Sequence, residues 1–192
     1  CLSLLPATAL AAAPEEQFSG LTPGRTYWFD LSGAGIPGNK NGSLPDDSLH
    51  WVPFTYAGAV NAYKRTDAGV STEDSVTPYD HSLFIAEYNV THTVSWDTLN
   101  TANLIFGKDY ASGGVDYSLR APSAGSNGMD SVTPRSNEWD AILDKNSVDI
   151  KNWNGMCSWC QDTYWDEEEG EVLFFRAVRG LSLIHISEPT RQ

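Results

Sequence analysis

Cys157 and Cys160 stand three residues apart inside 152–162, a stretch that also holds Trp153, Gly155 and Trp159. A Cys-x-x-Cys pair admits three chemistries. Dithiol–disulfide exchange needs the first thiolate at a helix N-terminus in a βαβ setting, whereas here Gly155 precedes the pair and Gln161-Asp162 follow it. A zinc site needs two more ligands at matching spacing, and His50, His81 and His92 offer no paired spacing. The favoured reading is structural: Cys157 and Cys160 are buried beside tryptophans in a tight turn, free or joined as a disulfide after export.

Asp162, Asp166, Glu167, Glu168, Glu169 and Glu171 follow around Gly170. Calcium gathers roughly six to eight oxygens from several segments, and a contiguous Glu run usually points outward instead. A solvated loop is the first reading; calcium is the cofactor the run admits, with Asp162 and loop carbonyls as its ligands. Trp165, beside the run, is the candidate ligand-contacting ring. Trp96, Trp139, Trp153 and Trp159 are assigned to the core, which in a loop-rich chain depends on buried aromatics. His81 opens a strand and His92 follows one, so both read as surface residues. No Ser-His-Asp order or phosphate loop is visible, Gly113-Gly114 signals only a turn, and no catalytic residue is assigned.

The elements that must position these residues are short. With 192 residues, 41% of them hydrophobic, the chain can bury one sizeable core. Sixteen Gly and ten Pro point to short strands and loops rather than long helices. Twelve Lys and Arg against twenty-five Asp and Glu give a formal net charge of -13, which repels a phosphate backbone and excludes nucleic-acid partners.

Residues 14–47 read as a flexible Gly/Pro-rich segment, loosely tied to the rest, with one strand at Thr26–Leu31. From Ser48 apolar density rises. Two strands are expected around Gly58, over 50–56 and 59–64, with Pro53 marking an edge position. Residues 66–80 form an acidic loop. Residues 82–90 give the strongest strand signal, continuous enough for a central strand. Ser95 caps a helix expected to run to Phe106 and close at Gly107. Strands are expected again at 117–122 and 171–178, and Asn137 caps a second small helix over 137–144.

Both ends carry signals unrelated to the fold. Residues 1–13 form an apolar run closing on A-x-A sites, read as a partial signal peptide, which implies a secreted or cell-surface protein. The run is too short to span a membrane. Residues 181–191 reproduce the first-frame translation of a transposase sequencing-library adaptor, so 181–192 are set apart as an artefact and His185 is excluded as a ligand.

In order, Glu87-Tyr-Asn-Val-Thr91, Val94-Ser-Trp96, Arg120-Ala-Pro-Ser123 with Asn137-Glu-Trp-Asp140, Gly155–Asp162 and Arg176-Ala-Val-Arg-Gly180 resemble the motif blocks of the formylglycine-generating-enzyme (sulfatase-modifying factor) family. Departures are an insertion before Glu138, Cys157 at a Trp position, and a short interval between Val90 and Val94. The resemblance covers about 83–180 and implies an α+β class: an irregular, loop-rich, C-type-lectin-like domain over 48–180, truncated at its C-terminus, in which Arg179 is structural. The family's enzymes bind copper through two cysteines near the domain's end, beyond Gly180. It also implies bacterial surface proteins that reuse the fold without known chemistry. The expected function is therefore an exported surface protein with a non-catalytic ligand-binding or adhesion module, taking a carbohydrate or a protein ligand. The alternatives are a copper-dependent oxidase whose cysteines follow Gly180, and a structural domain of a large cell-wall protein.

Overall fold

The computed structural model describes residues 18–67, 76–112, 115–125, 137–143, 157–168 and 171–180. Nine strands lie among them: β1 (Thr26–Phe29), β2 (Asn39–Lys40), β3 (Val52–Ala62), β4 (Tyr79–Ala86), β5 (Thr91–His92), β6 (Lys108–Ser112), β7 (Val115–Leu119), β8 (Cys157–Glu168) and β9 (Glu171–Gly180). Among the described residues, helical structure is limited to α1 (Trp96–Thr101) and a π-helical turn at Trp139–Leu143. The strands pair antiparallel as a three-stranded sheet, β1-β3-β4, and as three two-stranded units, β2-β5, β6-β7 and β8-β9.

This is a mostly β chain of small antiparallel sheets, and the finding overturns the expected α+β, C-type-lectin-like class over 48–180. The reason is visible in the residues expected to be helical. Ser95 does cap α1, its hydroxyl accepting from Thr98 N at 3.2 Å. Leu104, Ile105 and Phe106 are consecutive apolar residues, however, and a helix turns consecutive side chains to different faces. The chain instead leaves the helix after Thr101 and enters the left-handed region at Asn103 (φ 62°), burying Leu104 and Ile105. The expected second helix shrinks to one wide turn, capped where Asn137 Oδ1 accepts from Asp140 N at 2.8 Å.

The order of the main sheet also differs from expectation. The two strands expected within 50–64 are one long strand, β3 (Val52–Ala62), bent by a bulge between Tyr56 and Gly58. Gly58 takes φ 97°, a conformation that costs other residues far more than glycine. This strand, β3, is central, and β4 is an edge. Pro53 is tolerated because its carbonyl accepts from Glu87 N at 3.0 Å, so its nitrogen also faces β4, one residue past the last paired position, Phe54–Ala86.

The sheet divides two cores, because successive strand side chains point to opposite faces. Phe84 of β4 joins Tyr27, Phe29, Leu31, Leu44, Val52 and Tyr56 in the first core. Ile85 packs with Ala124, Trp139, Cys160 and Ala177 in the second. Residues 18–47, the described part of the segment expected to be loosely tied, instead supply half of the first core. Phe29 meets the rings of Phe54, Phe84 and Tyr117 at 5.0, 5.2 and 4.9 Å, edge-on contacts that add about 0.5–1.5 kcal/mol each to burial.

Candidate binding cleft

The second core is small in apolar area, and buried polar groups do the joining. The Glu138 side chain is 0% exposed. Its carboxylate accepts from Arg120 through both oxygens, from Ser123 N at 3.0 Å, and lies 2.7 Å from His81 Nε2. Burial pushes the Glu138 carboxyl up, but the Arg120 guanidinium and these hydrogen bonds outweigh it and hold Glu138 below the usual carboxylate range. Ser123 returns the contact, its hydroxyl accepting from Glu138 N at 3.0 Å and donating to Tyr63 O at 2.8 Å.

Asp162 lies one step along the same network. It is 1% exposed, and accepts from Tyr63 Oη at 2.7 Å and Ala124 N at 2.7 Å, with Arg65 3.9 Å away. Here burial wins over those contacts, and the carboxyl is raised above its ordinary value. Gln161, 0% exposed, ties together two separate segments. Its Oε1 accepts from Arg65 N at 2.9 Å and its Nε2 donates to Ile105 O at 3.0 Å.

Those two segments are the walls of an open cleft of about 540 Å³. Lys64, Thr66 and Asp67, on the chain leaving β3, form one wall, and Asn100, Asn103, Phe106 and Gly107, at the end of α1 and beyond, form the other. One buried amide side chain therefore sets the spacing of the walls. The second wall is fixed from behind: Trp96 donates its indole N–H to Cys160 O at 3.0 Å, the Arg176 guanidinium lies 3.9 Å over the Trp96 ring, and Phe106 meets that ring edge-on at 5.8 Å. Gly107 is obligatory, because a Cβ there would come within 2.7 Å of Ser118 Oγ and 3.3 Å of Lys64 Nζ at φ 136°. Among the described residues, the side chains of Lys64, Thr66, Asn100 and Asn103 make no hydrogen bond or ion pair.

The residues singled out from sequence fall in several places. Cys157 and Cys160 are free thiols on β8, an extended strand rather than a turn. Three residues of strand separate Cα atoms by about 10 Å, beyond the roughly 7 Å that a disulfide bridges. Cys160 is fully buried, and burial raises its thiol well above the ordinary value, which disfavours a thiolate. Trp96 and Trp139 are buried at 3% and 4% exposure, and Trp159 donates to Val94 O at 2.9 Å. Arg179 donates to Ala124 O at 3.0 Å.

The Asp162 carboxylate faces into the network, and Asp166, Glu167 and Glu168 lie farther along β8 by their backbone. Among the described residues no three His, Cys, Asp or Glu side chains converge as a metal cluster. Trp153 lies outside the described residues, as do 1–17 and 181–192. Trp165 is on β8 by its backbone, opposite Phe174, with its side chain outside the description. Sequence reasoning gave no weight to Lys64, Asn100, Asn103 or Gln161, since each carries an ordinary polar side chain at a strand or helix end. The one available signal was Asn103, a residue type that tolerates the left-handed region, placed just before Leu104-Ile105-Phe106.

No family model, curated protein or solved structure matches the chain. No helix among the described residues is long and apolar enough to cross a membrane.

Proposed function

We propose that the protein is an exported surface module that binds a carbohydrate, without catalysis, in the cleft between the end of β3 and the end of α1. One observation carries this reading: the side chains of Lys64, Thr66, Asn100 and Asn103, which make no hydrogen bond or ion pair among the described residues, line one cleft beside the half-buried Phe106 ring. Binding a polar ligand there satisfies groups that otherwise bond only to water, and Phe106 offers apolar surface to sugar C–H groups. Export is supported by the apolar run closing on A-x-A sites at 1–13.

The family reading is supported by the way the resembling blocks touch one another. Val94-Ser-Trp96 bonds to Trp159 and Cys160, and Arg120–Ser123 bonds to Glu138. We read the chain as a divergent relative of the formylglycine-generating-enzyme family in which these residues hold the structure.

The test is titration calorimetry against a panel of soluble oligosaccharides. Saturable binding to at least one is expected, weakened tenfold or more in Asn103→Gly, which keeps the backbone conformation and removes the amide. Absence of binding across the panel, or an unchanged affinity in Asn103→Gly, contradicts the proposal.

A further inference from the structure

We propose that the cleft is built for an acidic sugar, a uronic acid residue within a polysaccharide, whose carboxylate is taken by Lys64. The inference rests on the carbohydrate-binding reading and adds a charge preference to it. Acidic residues outnumber basic ones twenty-five to twelve in this chain, so a lysine has no shortage of partners. Lys64 nevertheless makes no ion pair or hydrogen bond among the described residues, and it lines the cleft with its ammonium against Gly107. The ammonium lies close to the glycine: a Cβ at 107 would sit 3.3 Å from Lys64 Nζ, a tight contact.

The opposite charge in the same cleft narrows the ligand class. Asp67 lines the cleft beside Lys64, and a carboxylate accepts hydrogen bonds from hydroxyls but repels further negative charge. A phosphate monoester, which carries close to two charges, is disfavoured. A ligand with one carboxylate suits Lys64 without bringing a second negative charge towards Asp67, and Asn100 and Asn103 supply amide donors and acceptors for its hydroxyls. A uronic acid has this pattern.

The net charge of -13 opposes the approach of any anion. At physiological ionic strength, however, exposed charges are screened beyond about 8 Å. The contact with Lys64 therefore sets the preference, and the distant acids slow association instead.

The experiment is calorimetric titration of the full chain with one uronate-containing oligosaccharide and with the same oligosaccharide after reduction of its carboxyl to a primary alcohol. The wild type is expected to prefer the uronate at least tenfold. Lys64→Gln, which keeps most of the stem and removes the charge, is expected to bind the two ligands equally, with an unchanged melting temperature showing that the fold persists. Equal binding by the wild type overturns the charge preference and leaves the carbohydrate reading standing. A preference that survives in Lys64→Gln overturns the assignment of the carboxylate to Lys64. Binding of neither ligand by the wild type overturns both this inference and the reading beneath it.

Discussion

On one face of the β1-β3-β4 sheet the chain packs rings against rings, and on the other it packs charges against charges. The first core is aromatic, centred on Tyr27, Phe29, Tyr56 and Phe84, and it draws its stability from area removed from water. The second has four buried apolar residues among those described, and its segments meet through Glu138, Arg120, Ser123, Tyr63, Asp162 and Gln161. Apolar packing tolerates small shifts, whereas a buried carboxylate with three partner residues is satisfied in one arrangement. The difference teaches where precision is placed: the cleft is attached to the polar side, and its walls are spaced by hydrogen bonds to Gln161.

Breaking each side in turn separates the two modes. Glu138→Ala should cost about 3–5 kcal/mol, because it strands the Arg120 charge in a buried site. Phe29→Ala should cost a comparable amount, about 3–5 kcal/mol, through lost burial and a cavity. Chemical denaturation at several pH values distinguishes them. Glu138 has a folded-state pKa below its ordinary value of 4.5, so its contribution is full above that value and is lost as pH falls through the lowered one. Phe29→Ala should therefore keep the wild-type acid limb, and Glu138→Ala should flatten it.

Gln161→Leu should cost about 2 kcal/mol by leaving Arg65 N and Ile105 O without their partner, and should weaken ligand binding more than Ser95→Ala does. Asp162→Asn should cost about 1–2 kcal/mol with the opposite pH trend to Glu138. Its pKa is raised above 3.8, so the native contribution is full below that value and lost as pH rises through the higher one. The deficit of Asp162→Asn should therefore shrink between pH 3 and pH 7. The smallest effect belongs to Ser95→Ala, about 1 kcal/mol from loss of the α1 cap, read as a drop in melting temperature.

Local chemistry in the chain was legible, and long-range arrangement was not. Ser95 and Asn137 read as caps because capping depends on residues three apart, and both accept the expected backbone hydrogen bond. The strands at 26–29 and 171–180 read from composition for the same reason. The order of β3 and β4 could not be read, since Pro53 is excluded from a central strand only where its nitrogen meets a ladder position, and that depends on where β4 ends. The helical extent was misread because Trp96, Leu99 and Asn103 keep helical spacing while burial of Leu104 and Ile105 pulls the chain out of the helix. The cleft was invisible from sequence, because the segments carrying Lys64 and Asn103 are tied together through Gln161, nearly sixty residues beyond the second of them.

The most direct measurement of the central claim is residue-resolved amide hydrogen exchange on the wild type and Glu138→Gln at pH 7. The polar account predicts that protection falls at Ser123, Ala124 and Gln161 while Tyr27, Leu31 and Tyr56 keep theirs. An equal loss of protection in both groups, or none in either, would contradict it.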